Sequence, residues 1–320
     1  MGLEVAIESL TKSFGGHTVW RDLSLTLPKG EISVMLGPSG TGKTVFLKSL
    51  VGLLRPERGR VMVDGVDMVN SRERDIYRVR REFGLMFQDG ALFGSLTLFD
   101  NVAFPLREHT KKRESEIRRA VMERLDMVGL AGAERKLPGE ISGGMRKRVG
   151  LARALVMDPQ VILCDEPDSG LDPVRTSHLS QLLIDLNATT DATMLIVTHN
   201  IDIARTVPDN LGMLYRGELV AYAAREVMLT SREPVIEQFL NGRTVGPIGM
   251  TEENDAATWT EAEPDPAYPA PELPPQLEPS PGLPPRRAAE RRRDRLITTF
   301  GKLPREYTPA PARPRNGAGW

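Results

Sequence analysis

The chain has 320 residues, a formal net charge of −1 and 40% hydrophobic residues, which is enough for a sizeable core in one or two domains. This near-neutral balance gives no support for global electrostatic steering toward nucleic acid or a membrane surface. The single cysteine, Cys164, excludes an internal disulfide framework, and no run of about 18 apolar residues is present that would predict a membrane-spanning helix.

Short strands dominate the beginning of the chain. Val5–Leu10, Ser24–Leu27 and Arg60–Val63 have the pattern of antiparallel strands separated by Gly-Gly and Pro-Lys-Gly turns. Four other segments are almost continuously apolar, which is typical of parallel strands buried on both faces. They are Ile32–Leu36, Phe83–Phe87, Val161–Cys164 and Met194–Thr198.

A long, mostly helical insertion lies between the second and third of these apolar strands. It includes Lys111–Val128, which has a charged face, and Ser142–Met157, which has apolar residues at helical spacing. A strand–helix core with such an insertion predicts a nucleotide-binding α/β domain over residues 1–245. We expect its helical lobe, about residues 89–160, to contact a partner.

Residues 37–44 read Gly-Pro-Ser-Gly-Thr-Gly-Lys-Thr and match G-x-x-x-x-G-K-[ST] in full. The loop lies between an apolar strand and a helix-like stretch, Val45–Leu54, so backbone N–H groups and the helix dipole are expected to face a polyphosphate. Lys43 is expected to reach the β- and γ-phosphates of ATP, and the Thr44 hydroxyl to ligate Mg²⁺. The other residues predicted to contact the nucleotide here are Gly37, Pro38, Ser39, Gly40, Thr41, Gly42 and Val45.

The apolar strand Val161-Ile-Leu-Cys ends in two carboxylates, Asp165 and Glu166. Asp165 lies at the carboxyl end of the strand, where we expect it to hold Mg²⁺ through water, opposite Thr44. Glu166 is one residue further along and is expected to polarise the attacking water as a general base.

A second phosphate-binding signal lies in Glu140-Ile-Ser-Gly-Gly-Met. Ser142 is a good helix N-cap, and Gly143 and Gly144 expose backbone N–H groups in the first turn, where an anion binds well. One molecule cannot easily present two such helix ends to the same γ-phosphate. The sequence therefore predicts a symmetric dimer, with each ATP held between the phosphate loop of one subunit and Ser142–Gly144 of the other.

The order of these motifs over residues 4–245 resembles that of ATP-binding-cassette ATPases. The resemblance implies a P-loop NTPase fold with a RecA-like parallel sheet core, an antiparallel β subdomain and a helical signature subdomain. It implies that Phe14 stacks on adenine and that Gln88 senses Mg²⁺ and water while linking the site to the helical lobe. It also implies that Asp172 lies in a loop crossing the dimer interface and that His199 contacts the γ-phosphate.

Two positions depart from the usual cassette pattern. Val45 follows Thr44 where most relatives have a threonine, and Met145 replaces the glutamine that ends the signature. Because Ser142–Gly144 are retained, we expect sandwiching of ATP to persist with altered affinity or coupling. Hydrolysis is expected to depend on Mg²⁺, Lys43 and Glu166. The lysine, the glutamate and the predicted Mg²⁺ ligands are all present in the chain.

Within the family, the chain resembles the ATPases of Mla/Mce-type lipid transport systems. The likeness is carried by Phe87-Gln-Asp-Gly-Ala-Leu-Phe, by the methionine-ended signature, by Asp165-Glu-Pro-Asp-Ser-Gly-Leu-Asp-Pro and by Gln238-Phe-Leu-Asn-Gly-Arg-Thr-Val-Gly-Pro-Ile. The proline-rich extension and the arginine and alanine content are similar to the actinobacterial and mycobacterial Mce ATPase. This resemblance implies a peripheral homodimer on the cytoplasmic face of the membrane, paired with polytopic permease subunits that handle a lipid or sterol.

Three alternatives stay open at this stage. The chain is also compatible with the ATPase of a polar-solute importer, such as one for amino acids, although such subunits often end in a folded regulatory domain. A soluble cassette ATPase acting on DNA or ribosomes is disfavoured, because the chain has one cassette, no heptad array and no cysteine cluster. A scaffold without catalysis is disfavoured because Lys43, Asp165, Glu166 and His199 are intact; we expect no nucleic-acid partner.

Residues 246–320 form an extension of different composition. Fourteen of the 25 prolines lie in the last 70 residues, so this segment is expected to bury too little apolar surface to fold and to be largely disordered. Residues 251–285 carry eight acidic and no basic side chains, whereas 286–320 carry ten basic and three acidic ones. The basic stretch Arg286–Arg295 has two other interpretations, contact with anionic lipid or folding back onto the acidic block.

Overall fold

The computed structural model describes residues 2–249 and 273–300, with side chains up to residue 294. The strands are β1 (Val5–Phe14), β2 (His17–Leu27), β3 (Ile32–Leu36), β4 (Arg58–Val63), β5 (Val66–Asp67), β6 (Phe83–Met86), β7 (Val161–Asp165), β8 (Thr193–Val197), β9 (Asn210–Tyr215) and β10 (Glu218–Ala224). The helices are α1 (Lys43–Leu50), α2 (Glu73–Arg80), α3 (Leu98–His109), α4 (Glu114–Met127), α5 (Gly143–Leu155), α6 (Pro173–Thr190), α7 (Ile201–Thr206), α8 (Arg225–Leu229), α9 (Pro234–Asn241) and α10 (Arg287–Phe300).

The larger sheet has six strands in the order β10-β9-β3-β8-β7-β6. Its strands β9, β3, β8, β7 and β6 pair in parallel, and β10 pairs antiparallel at one edge. Every residue of β3, β7 and β8 is buried, as expected for strands covered on both faces. The four parallel strands predicted from their apolar composition are confirmed. Strands β9 and β10 were not predicted from the sequence.

The smaller sheet has four strands in the antiparallel order β2-β1-β4-β5. It contains the three predicted antiparallel strands, which extend further than their apolar runs indicated. Their inward side chains pack with α1 and with one face of the larger sheet. The fold therefore has the predicted antiparallel subdomain beside the parallel core.

Alternate residues of the central strands pack into two different apolar cores. Val34 of β3 and Ile162 of β7 contribute to the core that also contains α6 and the helical lobe. Met35 and Leu163 contribute to the core shared with α1 and the antiparallel sheet. The parallel sheet is thus the layer that joins the two halves of the molecule.

The helical lobe consists of α3, α4 and α5. Thr97 caps α3 by accepting the backbone N–H of Asp100 at 3.1 Å, and the lobe packs through buried apolar residues such as Val121 and Val149. In the two described ranges, no helix is both long enough and apolar enough to cross a membrane.

Residues 273–300 differ from the predicted disordered tail. Leu273 and Leu277 pack against the core, and α10 follows. Arg286 is buried, pairs with the fully buried carboxylate of Asp209, and donates from Nε to Asn187 Oδ1 at 2.7 Å. The composition of residues 273–300 does not predict this docking, because the carboxylates and the apolar surface that stabilise it lie far away in the sequence.

Two arginines of α10 also meet carboxylates of the folded core. Arg291 pairs with Asp191 at 2.5 Å, and Arg292 pairs with Glu226. The basic stretch therefore folds back, but onto the core. The predicted partner for fold-back, the acidic block, lies mostly within residues 250–272, which are outside the described residues, as are residues 301–320 and their predicted disorder.

Candidate active site

Four parallel strands bring the predicted catalytic segments together at their carboxyl ends, on one end of the sheet. β3 ends at the phosphate loop, β6 at Phe87 and Gln88, β7 at Asp165 and Glu166, and β8 just before His199. The carboxyl ends of the strands in a parallel sheet form the usual ligand site in α/β folds. The docked tail contacts Asp191 and Asp209, which precede β8 and β9 at the opposite end of the sheet, where the strands begin.

The phosphate loop connects β3 directly to α1. Gly40 and Gly42 have φ angles of 87° and 82°, in the left-handed region that glycine tolerates best. A Cβ atom built on Gly42 would lie 2.2 Å from Val19 Cγ1, so neither the backbone conformation nor the space suits a side chain there. Lys43, the first residue of α1, is buried and donates from Nζ to the carbonyls of Gly37 and Pro38, both at 2.8 Å.

Burial lowers the pKa of Lys43, while the charges of Glu166 and Asp165 oppose this shift. The ammonium group therefore has two carboxylates in its electrostatic environment besides its loop carbonyls. A polyphosphate would stabilise the charged form of this buried ammonium group, because it supplies negative charge at a site that already excludes water.

Thr44 and Asp165 form the second part of the site. The Thr44 hydroxyl donates to Asp165 Oδ1 at 3.0 Å, although the two residues are 121 positions apart in the chain. Burial raises the pKa of Asp165, and the Thr44 hydrogen bond opposes that rise. Both donors are oxygens, which suits a hard cation such as Mg²⁺.

Among the described residues, no group of three or more histidine, cysteine, aspartate or glutamate side chains is arranged to hold a metal. Mg²⁺ commonly uses one or two protein oxygens together with substrate phosphates and water. The hydroxyl of Thr44 and the carboxylate of Asp165 fit that mode of binding beside the phosphate loop.

Glu166 lies between two of the predicted catalytic side chains. Gln88 Nε2 donates to Glu166 Oε2 at 3.1 Å, and His199 Nδ1 lies 3.4 Å from Glu166 Oε1. The backbone of Glu166 has a φ of 44°, and its N–H donates to the Val197 carbonyl at 2.9 Å. The structure thus brings together Glu166, Gln88 and His199, which the sequence placed at the ends of three different strands.

Ser142 and Asp172 cap two helices away from this cluster. Ser142 Oγ accepts the backbone N–H of Met145 at 3.3 Å, so α5 begins as predicted, with Ser142 and Gly143 exposed. Asp172 accepts the backbone N–H of Arg175 at 2.9 Å, which lowers the pKa of Asp172. In the described part of this chain, neither side chain hydrogen-bonds to the phosphate loop, so their contact with ATP stays a prediction about a second subunit.

Phe14 lies at the end of β1, and its side chain is 49% exposed. Lys12 Nζ lies 4.8 Å from the centre of the Phe14 ring and also pairs with Glu57 at 2.7 Å. This cation–π contact was not predicted from the sequence. The exposure leaves ring surface for a base, and stacking on adenine stays a prediction.

Sequence reasoning missed a polar cluster behind Glu166. Lys147 of α5 donates from Nζ to the Glu166 carbonyl at 3.2 Å and also to the Ser169 carbonyl. Asp168 is buried and accepts the Thr198 hydroxyl at 2.8 Å. Lys147 lies within the predicted helix Ser142–Met157 and Asp168 within a quoted motif, but only the packing of α5 against the loop after β7 shows that they meet.

Comparison with known proteins gives a consistent result. A family model described as ABC transporter matches residues 20–169. The chain is 61% identical to the probable ribonucleotide transport ATP-binding protein mkl of Mycobacterium tuberculosis, over 96% of this chain and 88% of that protein. It is 38% identical to the intermembrane phospholipid transport system ATP-binding protein MlaF of Haemophilus influenzae, over 76% of this chain and 92% of that protein.

A solved structure is also similar. It is the dimeric post-hydrolysis state of the ATP-binding cassette MJ0796 bound to ADP and Pi. The two folds superpose with a TM-score of 0.64 at 30% identity, covering 69% of this chain and 98% of that one. The similarity thus extends over almost the whole of that cassette.

Proposed function

The chain belongs to the ABC transporter family as an ATP-binding, ATP-hydrolysing subunit, and from this premise we propose that it drives lipid or sterol transport by an Mce/Mla-type permease. In this proposal it works as a homodimer on the cytoplasmic face of the membrane. ATP closes the dimer, and hydrolysis reopens it. The observation that carries the chemical part is the position of the Glu166 carboxylate between Gln88 and His199, beside the Thr44–Asp165 pair.

Each residue of this cluster has a separate task in the proposed reaction. Lys43 and the loop N–H groups hold the β- and γ-phosphates, and His199 contacts the γ-phosphate. Thr44 and Asp165, with Gln88, would hold Mg²⁺, which when bound would neutralise charge on the phosphate oxygens. Glu166 takes a proton from the attacking water as that water approaches the γ-phosphorus.

The proposed dimer makes use of the exposed start of α5. This 13-residue helix presents Ser142 and Gly143 at its N-terminus, where backbone N–H groups and the helix dipole favour an anion. In the proposed dimer, these groups and Asp172 contact the ATP held by the other subunit. The dimeric structure of the related cassette MJ0796, bound to ADP and Pi, is consistent with this arrangement.

An aromatic surface near Gln88 supports contact with a permease. The rings of Phe93 and Phe104 lie 4.9 Å apart, and their side chains are 44% and 39% exposed. The fully buried Asn101 accepts the Phe93 N–H at 2.8 Å, and its Nδ2, which has two hydrogens to donate, lies within 3.1 Å of three carbonyls of residues 93–97. The segment that follows Gln88 is therefore held by Asn101 and presents exposed aromatic rings, which suits a coupling helix seated near residues 88–101.

In this proposal the lipid is handled by partner subunits and does not contact this chain. The name of the 61% identical mycobacterial relative refers to ribonucleotide transport, whereas that of MlaF refers to phospholipid transport. We propose a lipid or sterol on the strength of the motifs shared with Mla/Mce ATPases. The polar-solute importer is the second candidate, favoured by the ribonucleotide in the name of that relative.

One experiment addresses the cargo. The tagged chain is isolated from native membranes in mild detergent, and its co-isolated subunits and small molecules are identified by mass spectrometry. Mce- or Mla-type permease subunits and bound lipid support the proposal. A permease that accompanies a solute-binding protein, or bound nucleotide other than ATP and ADP, refutes the lipid assignment.

A second experiment addresses the reaction. Glu166→Gln is expected to reduce ATP turnover at least a hundredfold, since a general base contributes on the order of 10²–10⁴-fold. It should also trap an ATP-bound dimer that light scattering detects, because binding is retained while hydrolysis is blocked. Unchanged turnover, or a monomer with ATP and Mg²⁺, contradicts the proposed roles of Glu166 and the dimer.

A further inference from the structure

Lys147 is buried although its side chain carries a charge. It lies in the second turn of α5, is 6% exposed, and donates to the carbonyls of Glu166, at 3.2 Å, and Ser169. Lysine is seldom buried without a partner, because removing its charge from water is costly. Both carbonyls belong to the loop after β7, so one side chain ties the helical lobe to the backbone that carries Glu166.

The backbone at Glu166 needs such support. Its φ of 44° lies in the left-handed region, where a residue with a side chain persists only if its surroundings hold it there. The Glu166 N–H donates to Val197 of β8 at 2.9 Å. The Glu166 carbonyl accepts from Lys147 and, at 3.2 Å, from the Ser169 N–H. The two peptide groups beside Glu166 are thus held by different parts of the molecule, β8 and α5.

The surrounding charges favour an ammonium at this position. Burial lowers the pKa of Lys147, and the carboxylates of Asp168, Asp89 and Glu166 oppose that shift. Asp168 is itself buried, and its Oδ1 already accepts the Thr198 hydroxyl at 2.8 Å. These carboxylates favour the charged form of Lys147, whose ammonium group donates hydrogen bonds from α5 to the loop after β7.

We propose that Lys147 is a positioning residue for ATP hydrolysis. It holds the Glu166 carbonyl so that the carboxylate meets the attacking water, and it transmits displacement of α5 to that carboxylate. Because α5 begins at Ser142–Gly144, the segment proposed to bind the partner's ATP, Lys147 connects one nucleotide site to the general base of the other. This inference rests on the role of Glu166 in the proposed function.

The first test compares three substitutions. Lys147→Met keeps the length of the side chain but removes its donors, and we expect a decrease in kcat on the order of tenfold to a hundredfold, since a displacement of about 1 Å costs about that much. KM for ATP should change by less than twofold, because the phosphate loop is untouched. Lys147→Arg restores donors and should recover most of kcat. Lys147→Gln, which keeps one donor group, should fall between them and replaces the methionine variant if that variant does not fold.

Arg148 provides the matched control. It is the next residue of α5, and its guanidinium donates to the carbonyls of Val128 and Gly129 within the helical lobe, not to the loop after β7. Arg148→Met removes a cation and two carbonyl contacts of the same kind, and kcat should stay within about twofold once thermal unfolding shows that the variant is folded. An equal loss of kcat in Arg148→Met and Lys147→Met would assign the effect to general damage of α5 and overturn the proposal.

A double-mutant cycle separates positioning from structural support. If Lys147 acts through Glu166, Lys147→Met should reduce the residual rate of Glu166→Gln by less than twofold, because the group it positions is already gone. A full tenfold or larger reduction in that background overturns the proposal while leaving Glu166 as the general base. Unchanged turnover in Glu166→Gln alone overturns both assignments, so the two failures are distinguishable.

Discussion

The docking of the C-terminal segment gives a sharp prediction about stability. Arg286→Met removes the guanidinium that faces the fully buried Asp209 and leaves Asn187 Oδ1 without its donor. Removing one partner of a buried ion pair costs about 3–5 kcal/mol. Asp209 keeps the Ile32 N–H at 2.8 Å, Gln276 Nε2 at 3.1 Å and Arg292 at 3.9 Å, so we expect the lower end, about 3 kcal/mol.

The assay is urea unfolding of the full chain, followed by fluorescence and by far-UV circular dichroism. Arg287→Met serves as the matched control, because Arg287 is the next residue and is exposed, and surface substitutions usually change stability by less than about 0.5 kcal/mol. Equal midpoints for Arg286→Met and Arg287→Met would refute the docking of this segment, since a solvated tail cannot distinguish the two arginines.

The same pair predicts a pH dependence. Burial alone would raise the pKa of Asp209, but the guanidinium groups of Arg286 and Arg292 hold it below its ordinary value. A group whose pKa is lower in the folded state stabilises the fold above its unfolded pKa, about 3.9 for aspartate, and this contribution is lost as pH falls through the folded value. In Arg286→Met, Asp209 stays buried but loses its principal cation, so its pKa in the folded variant rises above that in the wild type. The stability difference between wild type and Arg286→Met should therefore be constant at pH values above this raised pKa and shrink as pH falls through it, because protonation relieves the unpaired carboxylate of the variant first. A difference that grows as pH falls from neutrality would contradict this reasoning.

Other predictions concern the nucleotide site. Gly42→Ala should abolish ATP binding measured by calorimetry, because its Cβ would lie 2.2 Å from Val19 Cγ1 at a φ of 82°; retained affinity would contradict the observed loop. Asp165→Asn should raise the Mg²⁺ concentration needed for half-maximal hydrolysis at least tenfold, and EDTA should stop turnover of the wild type; a variant with unchanged Mg²⁺ dependence would exclude Asp165 as a ligand. Burial raises the pKa of the Cys164 thiol to about 12, so a thiol reagent at pH 8 should label it only after unfolding. Rapid labelling of the native protein would show that β7 is accessible.

Much of the fold follows from patterns in short segments. The apolar runs at Ile32–Leu36 and Val161–Cys164 became β3 and β7, because strands covered on both faces need apolar side chains at every position. The run at Phe83–Phe87 became the edge strand β6, in which only alternate residues are buried. Asn210–Tyr215 was missed as β9. This segment contains a glycine and an asparagine, and its conformation is set by parallel pairing with β3, a partner about 180 residues earlier.

The candidate site divides in the same way. The sequence alone determined the glycine-rich loop 37–44 between a strand and a helix, and the strand ending in Asp165 and Glu166, because glycine spacing and an apolar run that stops at a charge are local properties of the chain. Tertiary structure alone decided that Lys147 holds the Glu166 carbonyl and that Arg286 reaches Asp209. Both contacts join segments 19 and 77 residues apart, and a buried charge is stable only where packing supplies its partner, which composition and spacing do not specify.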